Sequence, residues 1–253
     1  MSLYVEMARR LYEGEFNYAF SISLKNKYVY VENAKAACTV LKSILGEWEF
    51  AGCNLGSDIP RAFLRDVHIN VIGTPFVKPF QLGEDLFNDI IQSAEYFRFS
   101  FVRNPYTRLL SAYLDKVVKQ EPAAEEIFRE AGALGIAESA ENLSFLSFLR
   151  CIESRMSRTR FIDKHWRPQH FQLNPEAIRY DFIGKVETFE KDMLHLSTKL
   201  NRVAPDVQRS YGHETQAGSR VAEYYNEQTI ALLLKIYDKD FEHFSYDKAP
   251  PEN

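Results

Sequence analysis

Strand-like segments alternating with helix-like ones place this chain in the α/β class, with a central, mainly parallel sheet. Three stretches carry that reading. Residues 27–31 (Lys-Tyr-Val-Tyr-Val) have the β-branched and aromatic composition of a buried strand. After a short loop, Val40, Leu41, Ile44 and Leu45 recur at helical spacing. Residues 97–102 (Phe-Arg-Phe-Ser-Phe-Val) repeat the strand signal and run into Asn104-Pro105, where the proline suits a first helical turn.

The remaining elements follow in order. The helix opened by Pro105 places Tyr106, Leu109, Leu110, Tyr113 and Val117 on one face. Residues 121–135, rich in Ala and Glu, are expected to be helical and to stop near Gly132 or Gly135. Ser144 caps a helix running through Cys151. Residues 179–184 (Arg-Tyr-Asp-Phe-Ile-Gly) read as a third strand, and 189–200 as the helix after it. Residues 205–220 are polar and irregular. Asn226 caps a last amphipathic helix carrying Ile230, Leu233, Leu234 and Tyr237. With no internal repeat and no Gly/Ser linker, residues 1–253 read as one domain.

Composition narrows the function. The 31 Lys and Arg against 35 Asp and Glu give a net charge of −4. That argues against a protein that wraps nucleic acid, while leaving room for a local basic patch. Cys38, Cys53 and Cys151 fit neither a disulfide framework nor a zinc motif. Apolar runs such as 230–234 are far too short to span a membrane. Residues 1–24, interrupted by Glu6, Arg9, Arg10, Glu13 and Glu15, lack the apolar core of a signal peptide. The expectation is a soluble protein of a reducing compartment.

In an open α/β sheet, ligands collect at the carboxyl ends of strands, so the loops after Val31 and Val102 are the places to search. The first is Glu32-Asn33-Ala34-Lys35-Ala36-Ala37-Cys38-Thr39, with Lys42 one turn on. Small side chains at 34, 36 and 37 let backbone approach a ligand. The first amides of the following helix then point at an anion, helped by the helix dipole. Lys35 adds charge and Thr39 a hydroxyl. The pattern is not a Walker A loop, since no G-x-x-x-x-G-K-[ST] occurs in the chain. Taken alone, the loop is equally compatible with an ordinary turn, a solvated lysine and a threonine cap.

The second loop is Phe101-Val102-Arg103-Asn104-Pro105-Tyr106-Thr107-Arg108-Leu109-Leu110-Ser111-Ala112-Tyr113. Arg103, just past a strand end, can clasp a phosphate with two parallel hydrogen bonds. Ser111, two helical turns on, can offer its hydroxyl to the same anion. The string resembles the 3′-phosphate motif of sulfotransferases, approximately F-V-R-[DN]-P-x-x-R-L-x-S-A-Y. The first loop is similar to their 5′-phosphosulfate loop, P-K-x-x-x-[ST]-x-x-[KR], with Ala34 in place of the usual proline. Later landmarks recur as His165-Trp166-Arg167-Pro168-Gln169, then Tyr180-Asp181-Phe182-Ile183-Gly184-Lys185-Val186-Glu187. An ending with Tyr224-Tyr225-Asn226 and Asp240-Phe241-Glu242 extends the likeness over residues 28–246. The branch it looks most like is the carbohydrate sulfotransferases that modify chondroitin, dermatan and the HNK-1 glycan, here as a soluble, cytoplasmic, bacterial-type member.

The resemblance implies a P-loop-like three-layer α/β/α fold and the donor 3′-phosphoadenosine 5′-phosphosulfate (PAPS). It implies an acceptor hydroxyl, expected on a carbohydrate, and no metal. Amides of Ala36, Ala37, Cys38 and Thr39 would hold the 5′-phosphate, with Lys35 neutralising charge on the bridging oxygen and Lys42 adding long-range charge. Arg103 and Ser111 would grip the 3′-phosphate. The acceptor needs a general base, and among six histidines His68 falls between the two donor loops. His165 is the second candidate, and with Trp166 and Arg167 it is assigned to acceptor binding. The basic run Arg155, Arg158, Arg160, Lys164 and Arg167 attracts an anionic acceptor, faces the donor phosphates or is a solvated loop. Residues 209–220 are expected to close over the nucleotide. The competing readings are a kinase-like enzyme with a degenerate loop and a non-catalytic nucleotide-binding protein of the same fold.

Overall fold

The computed structural model describes residues 1–52, 66–68, 74–205 and 217–251. In chain order they form α1 (Leu3–Leu11), α2 (Glu13–Ala19), β1 (Phe20–Ser23), β2 (Tyr28–Val31), α3 (Cys38–Phe50) and α4 (Pro79–Gln92). Next come β3 (Phe97–Val102), α5 (Pro105–Ala112), α6 (Glu125–Ala133), α7 (Phe145–Arg158) and α8 (Gln169–Leu173). The order closes with β4 (Phe182–Lys185), α9 (Phe189–Lys199), α10 (Val221–Tyr224) and α11 (Glu227–Phe244). The class is α/β. The chain divides into two compact units, one of Met1–Val102 with Leu173–Gly212 and the other of Arg103–Gln172 with His213–Asn253.

The first unit holds all the described strands, in the order β1-β2-β3-β4. β1 pairs antiparallel with β2, whereas β2–β3 and β3–β4 are parallel, so the sheet is mixed and mostly parallel. Every residue of β2 is fully buried, as expected of a strand covered on both faces. Between β3 and β4, Phe101 faces Gly184, and a Cβ on that glycine would lie 2.5 Å from the Phe101 ring. The ring occupies the space a side chain would need. Arg98 at the start of β3 donates from Nε and Nη2 to the two carboxylate oxygens of Asp181, at 2.8 and 2.9 Å. Asp181 thereby leads β4 into register, and the strand begins at Phe182 rather than at residue 179.

Two side chains stitch the carboxyl ends of β2 and β3 together. Ser100 Oγ donates to the Val31 carbonyl at 2.7 Å, and Asn33 Nδ2 donates to the Phe101 carbonyl at 3.0 Å. The loop after Val31 therefore starts from a fixed edge.

Elements beyond the sequence expectation include the edge strand β1, the amino-terminal helices α1 and α2, and α4. An edge-to-face aromatic cluster joins them, with Phe87 of α4 5.3 Å from both Phe16 and Phe20 and 5.6 Å from Tyr4. The second unit is helical, built around Tyr106, Leu110, Phe148, Trp166, Leu233 and Tyr237. The helix from Pro105 is regular only to Ala112, after which residues Tyr113–Val117 take a π turn. Ser144 and Asn226 cap α7 and α11 as their sequences indicate. Cys53 and residues 206–216, most of the segment expected to close over a nucleotide, lie outside the described residues.

Candidate active site

The loop between β2 and α3 has the backbone of an anion cradle. Lys35 (φ 65°) and Ala37 (φ 59°) are both left-handed on either side of Ala36. Alternation of this kind turns successive N–H groups toward a common point. Ala36 is fully buried, and its N–H donates to the Asn33 carbonyl at 3.2 Å. α3 starts from Ala37 with no side-chain cap, and its first turn closes when the Leu41 N–H donates to the Ala37 carbonyl at 3.0 Å. The N–H groups of residues 38–40 have no intrahelical acceptor by construction, and the dipole of a 13-residue helix stands behind them. Lys35 is half-buried and Thr39 exposed.

Beneath the loop lies a charged cluster. Lys42 is not an outward cation: it is 3 % exposed, ion-paired to Glu32, and 4.0 Å from the centre of the Tyr18 ring. Its charge reaches the loop from inside the fold. Lys78, also buried, donates to the Phe20 carbonyl at 2.8 Å and to Ser21 Oγ at 3.2 Å. Burial, with the nearby Lys42 charge, brings its ammonium down to about 7 against the opposing pull of Glu32.

His68 meets the loop directly. Its Nε2 lies 3.0 Å from Thr39 Oγ1, and its Nδ1 lies 2.6 Å from the Tyr18 hydroxyl. Its backbone N–H donates to Asp66 Oδ1 at 3.0 Å, and its ring lies end to end with Tyr18, the planes 21° apart and the centroids 6.4 Å apart. The histidine expected as base and the threonine expected on the donor phosphate are therefore hydrogen-bonded partners. Tyr18 was not legible as a site residue, because no local pattern links positions fifty residues apart.

Within the helical unit, Arg103 is half-buried and its Nε donates to Thr107 Oγ1 at 3.1 Å. Gln169 holds its backbone on both sides: the Arg103 N–H donates to Gln169 Oε1 at 2.9 Å, and Gln169 Nε2 donates to the Arg103 carbonyl at 2.8 Å. Asp240, fully buried, fixes Gln169 in turn by accepting from its N–H at 2.8 Å. Asn104 caps α5 through the Tyr106 N–H, and Ser111 is buried on that helix. The second arginine of the motif, Arg108, is a clamp: it donates to the carbonyls of Arg167 at 2.9 Å and Lys164 at 3.1 Å.

The segment expected to meet the acceptor divides. His165 is half-buried with Nδ1 2.5 Å from Asp163 Oδ1, and burial pushes its imidazole below the usual range despite that carboxylate. Trp166 is fully buried and donates to Glu126 Oε1 at 2.7 Å. Arg167 is buried too, donating to the Ile162 carbonyl at 2.6 Å and to Gln172 Oε1 at 2.9 Å. The side chains of Trp166 and Arg167 are thus committed to interior contacts. Arg155 and Arg158, in the basic run, pair with Glu126 and Glu130 of α6. Trp48 packs in the core of the sheet unit.

The model of the sulfotransferase family covers residues 18–247, and the chain belongs to that family. Among its relatives, carbohydrate sulfotransferase 12 of Mus musculus is 27 % identical over 89 % of this chain and 58 % of its own length. Carbohydrate sulfotransferase 12 of Xenopus laevis is 30 % identical over 62 % of the chain and 42 % of its own length. Carbohydrate sulfotransferase 14 of Homo sapiens is 34 % identical over 38 % of the chain and 27 % of its own length. The chain spans about half the length, or less, of these curated relatives. No solved structure gave a significant match. Among the described residues, no helix is long and apolar enough to cross a membrane.

Proposed function

We propose that the chain transfers a sulfuryl group from PAPS to a hydroxyl of a carbohydrate acceptor. The observation that carries this reading is the left-handed loop at 35–37, which opens an uncapped helix beside an imidazole bonded to Thr39. The continuous family match over residues 18–247 supports reading both units as one sulfotransferase domain of P-loop-like, three-layer α/β/α architecture. The names of the relatives support a carbohydrate acceptor. Among the described residues, Cys38 and Cys151 form no disulfide, which suits the reducing setting expected from composition.

In this reading the amides of Ala36, Ala37, Cys38 and Thr39, with Lys35, hold the 5′-phosphate side of the donor. Lys42 raises the local potential from beneath without touching it. Arg103 and Ser111 take the 3′-phosphate, which is what distinguishes this nucleotide from ATP. PAPS supplies an activated sulfuryl group for in-line displacement, a reaction served by positioning and electrostatics. Lys35 neutralises the negative charge that grows at the bridging oxygen, and His68 Nε2 receives the acceptor's proton. His165 faces the acceptor, while Trp166 and Arg167 hold its segment from within. No metal is assigned.

Calorimetric titration with 3′-phosphoadenosine 5′-phosphate, ATP and AMP tests the donor assignment. The bisphosphate is expected to bind well above the other two. Equal affinity for ATP, or no binding of the bisphosphate, overturns it. A labelled sulfate donor offered with saccharides, lipids and small alcohols then tests the acceptor class.

A further inference from the structure

Arg103 is held in place from the last helix of the chain. The Gln169 amide grips its backbone on both sides, and Gln169 is the first residue of α8. The leading N–H groups of a helix have no acceptor within it, so α8 needs one from outside to start here. Asp240 of α11, fully buried, supplies it with both carboxylate oxygens. Oδ2 accepts from the Gln169 N–H and Oδ1 from the His170 N–H, each at 2.8 Å. The His170 ring meets the same carboxylate, with Nδ1 2.7 Å from Oδ1. Three positions further along α11, the His243 ring lies beside His170, the planes 15° apart and the centroids 5.9 Å apart. Three positions back, the Tyr237 hydroxyl donates to the Trp166 carbonyl at 2.6 Å. Residues 237, 240 and 243 thus brace the 166–170 segment from one helix.

We infer that Asp240 is a positioning residue for recognition of the donor's 3′-phosphate. It caps α8, the cap places Gln169, and Gln169 holds the Arg103 backbone from which the guanidinium reaches the phosphate. Without accessible surface of its own, Asp240 works only through the residues it ties down. Its removal loosens Arg103, and the loosening matters only where a 3′-phosphate is present. The loss therefore falls on discrimination between the bisphosphate and AMP, not on nucleotide binding as a whole. The inference rests on the reading of Arg103 as the 3′-phosphate ligand.

Calorimetry on Asp240→Ala, Gln169→Leu and the double variant follows the route, with circular dichroism checking the fold. Asp240→Ala should weaken 3′-phosphoadenosine 5′-phosphate about tenfold and AMP by less than about twofold. In the Gln169→Leu background the same substitution should add less than about twofold, because the route is already cut. A merely structural carboxylate would weaken both nucleotides alike, or add its full loss to that of Gln169→Leu. Any of these results overturns the inference, as does an unchanged bisphosphate affinity. If Asp240→Ala does not fold, hydrogen exchange on the unsubstituted chain decides. At matched saturation the two nucleotides stabilise the whole fold equally. The bisphosphate should then slow the Gln169 and His170 amides about fivefold or more relative to AMP. Equal protection by both overturns the inference. Arg103→Ala separates the two ways of failing. If it leaves the bisphosphate's advantage over AMP intact, the 3′-phosphate reading falls and this inference with it. If it abolishes that advantage while Asp240→Ala leaves it untouched, only the inference falls.

Discussion

At the scale of single residues, the proposed function has the two loops separate affinity from turnover. Lys35→Ala should lower kcat about 100-fold while weakening the bisphosphate only a few-fold, because the charge it neutralises develops during transfer. Arg103→Ala should do the reverse, weakening bisphosphate affinity about tenfold or more. Paired calorimetry and initial-rate measurements on the two variants check the contrast. Gln169 extends it. Its amide makes two hydrogen bonds to the backbone of Arg103. Gln169→Leu removes both partners of that backbone, a loss of about 1–3 kcal/mol. Bisphosphate affinity should therefore fall about tenfold while circular dichroism at low temperature stays native.

At the scale of elements, the Phe101 ring between β3 and β4 fills the space a side chain at 184 would need. Gly184→Ala forces a methyl into a buried ring at 2.5 Å, and thermal melting should report a loss of about 1–3 kcal/mol. β2, β3, α3, α7 and α11 were legible because their apolar patterns and caps are local, as at Ser144 and Asn226. β1 was not: Phe20-Ser21-Ile22-Ser23 is too short to signal alone, and its identity as a strand comes from pairing with Tyr28–Val31. α4 was hidden by Pro79 at its start and by Gly83, which breaks its helical backbone at φ 73°. The loops after β2 and β3 were readable as strings. Tyr18, Glu32 and Gln169 act through partners distant in sequence or along a turn, and no spacing announces them. The landmark Tyr180-Asp181-Phe182-Ile183-Gly184 now has a physical account as a fold motif. Asp181 sets Arg98, Gly184 admits Phe101, and the Tyr180 hydroxyl donates to the Leu173 carbonyl at 2.7 Å.

At the scale of the whole molecule, the buried ammonium of Lys78 links stability to pH. Its value in the folded protein, about 7, lies below the ordinary 10.5, so the unfolded chain binds more protons between those limits. Stability should therefore rise with pH across that window, by at most about 1.4 kcal/mol per unit, and the burden of the charged lysine is greatest below about pH 7. Urea unfolding at about pH 7 and about pH 9 should show the rise, and Lys78→Met should flatten it. The charge balance of −4 is compatible with an anion-binding enzyme because the cations that matter are local. Lys35 and Lys42 belong to one short loop–helix unit, and Arg103 lies between β3 and the cap of α5.

The left-handed backbone at Ala37 carries a cost of a different kind. An L-residue held there is strained by about 1–2 kcal/mol, and glycine, which would relieve it, is absent. The loop is thus stiffer than stability alone would favour, a shape retained before any anion arrives. Ala37→Gly should raise the melting temperature of the unliganded chain, yet make bisphosphate binding entropically more costly in calorimetry. Thermal robustness and readiness for the nucleotide are traded against each other at this one methyl group.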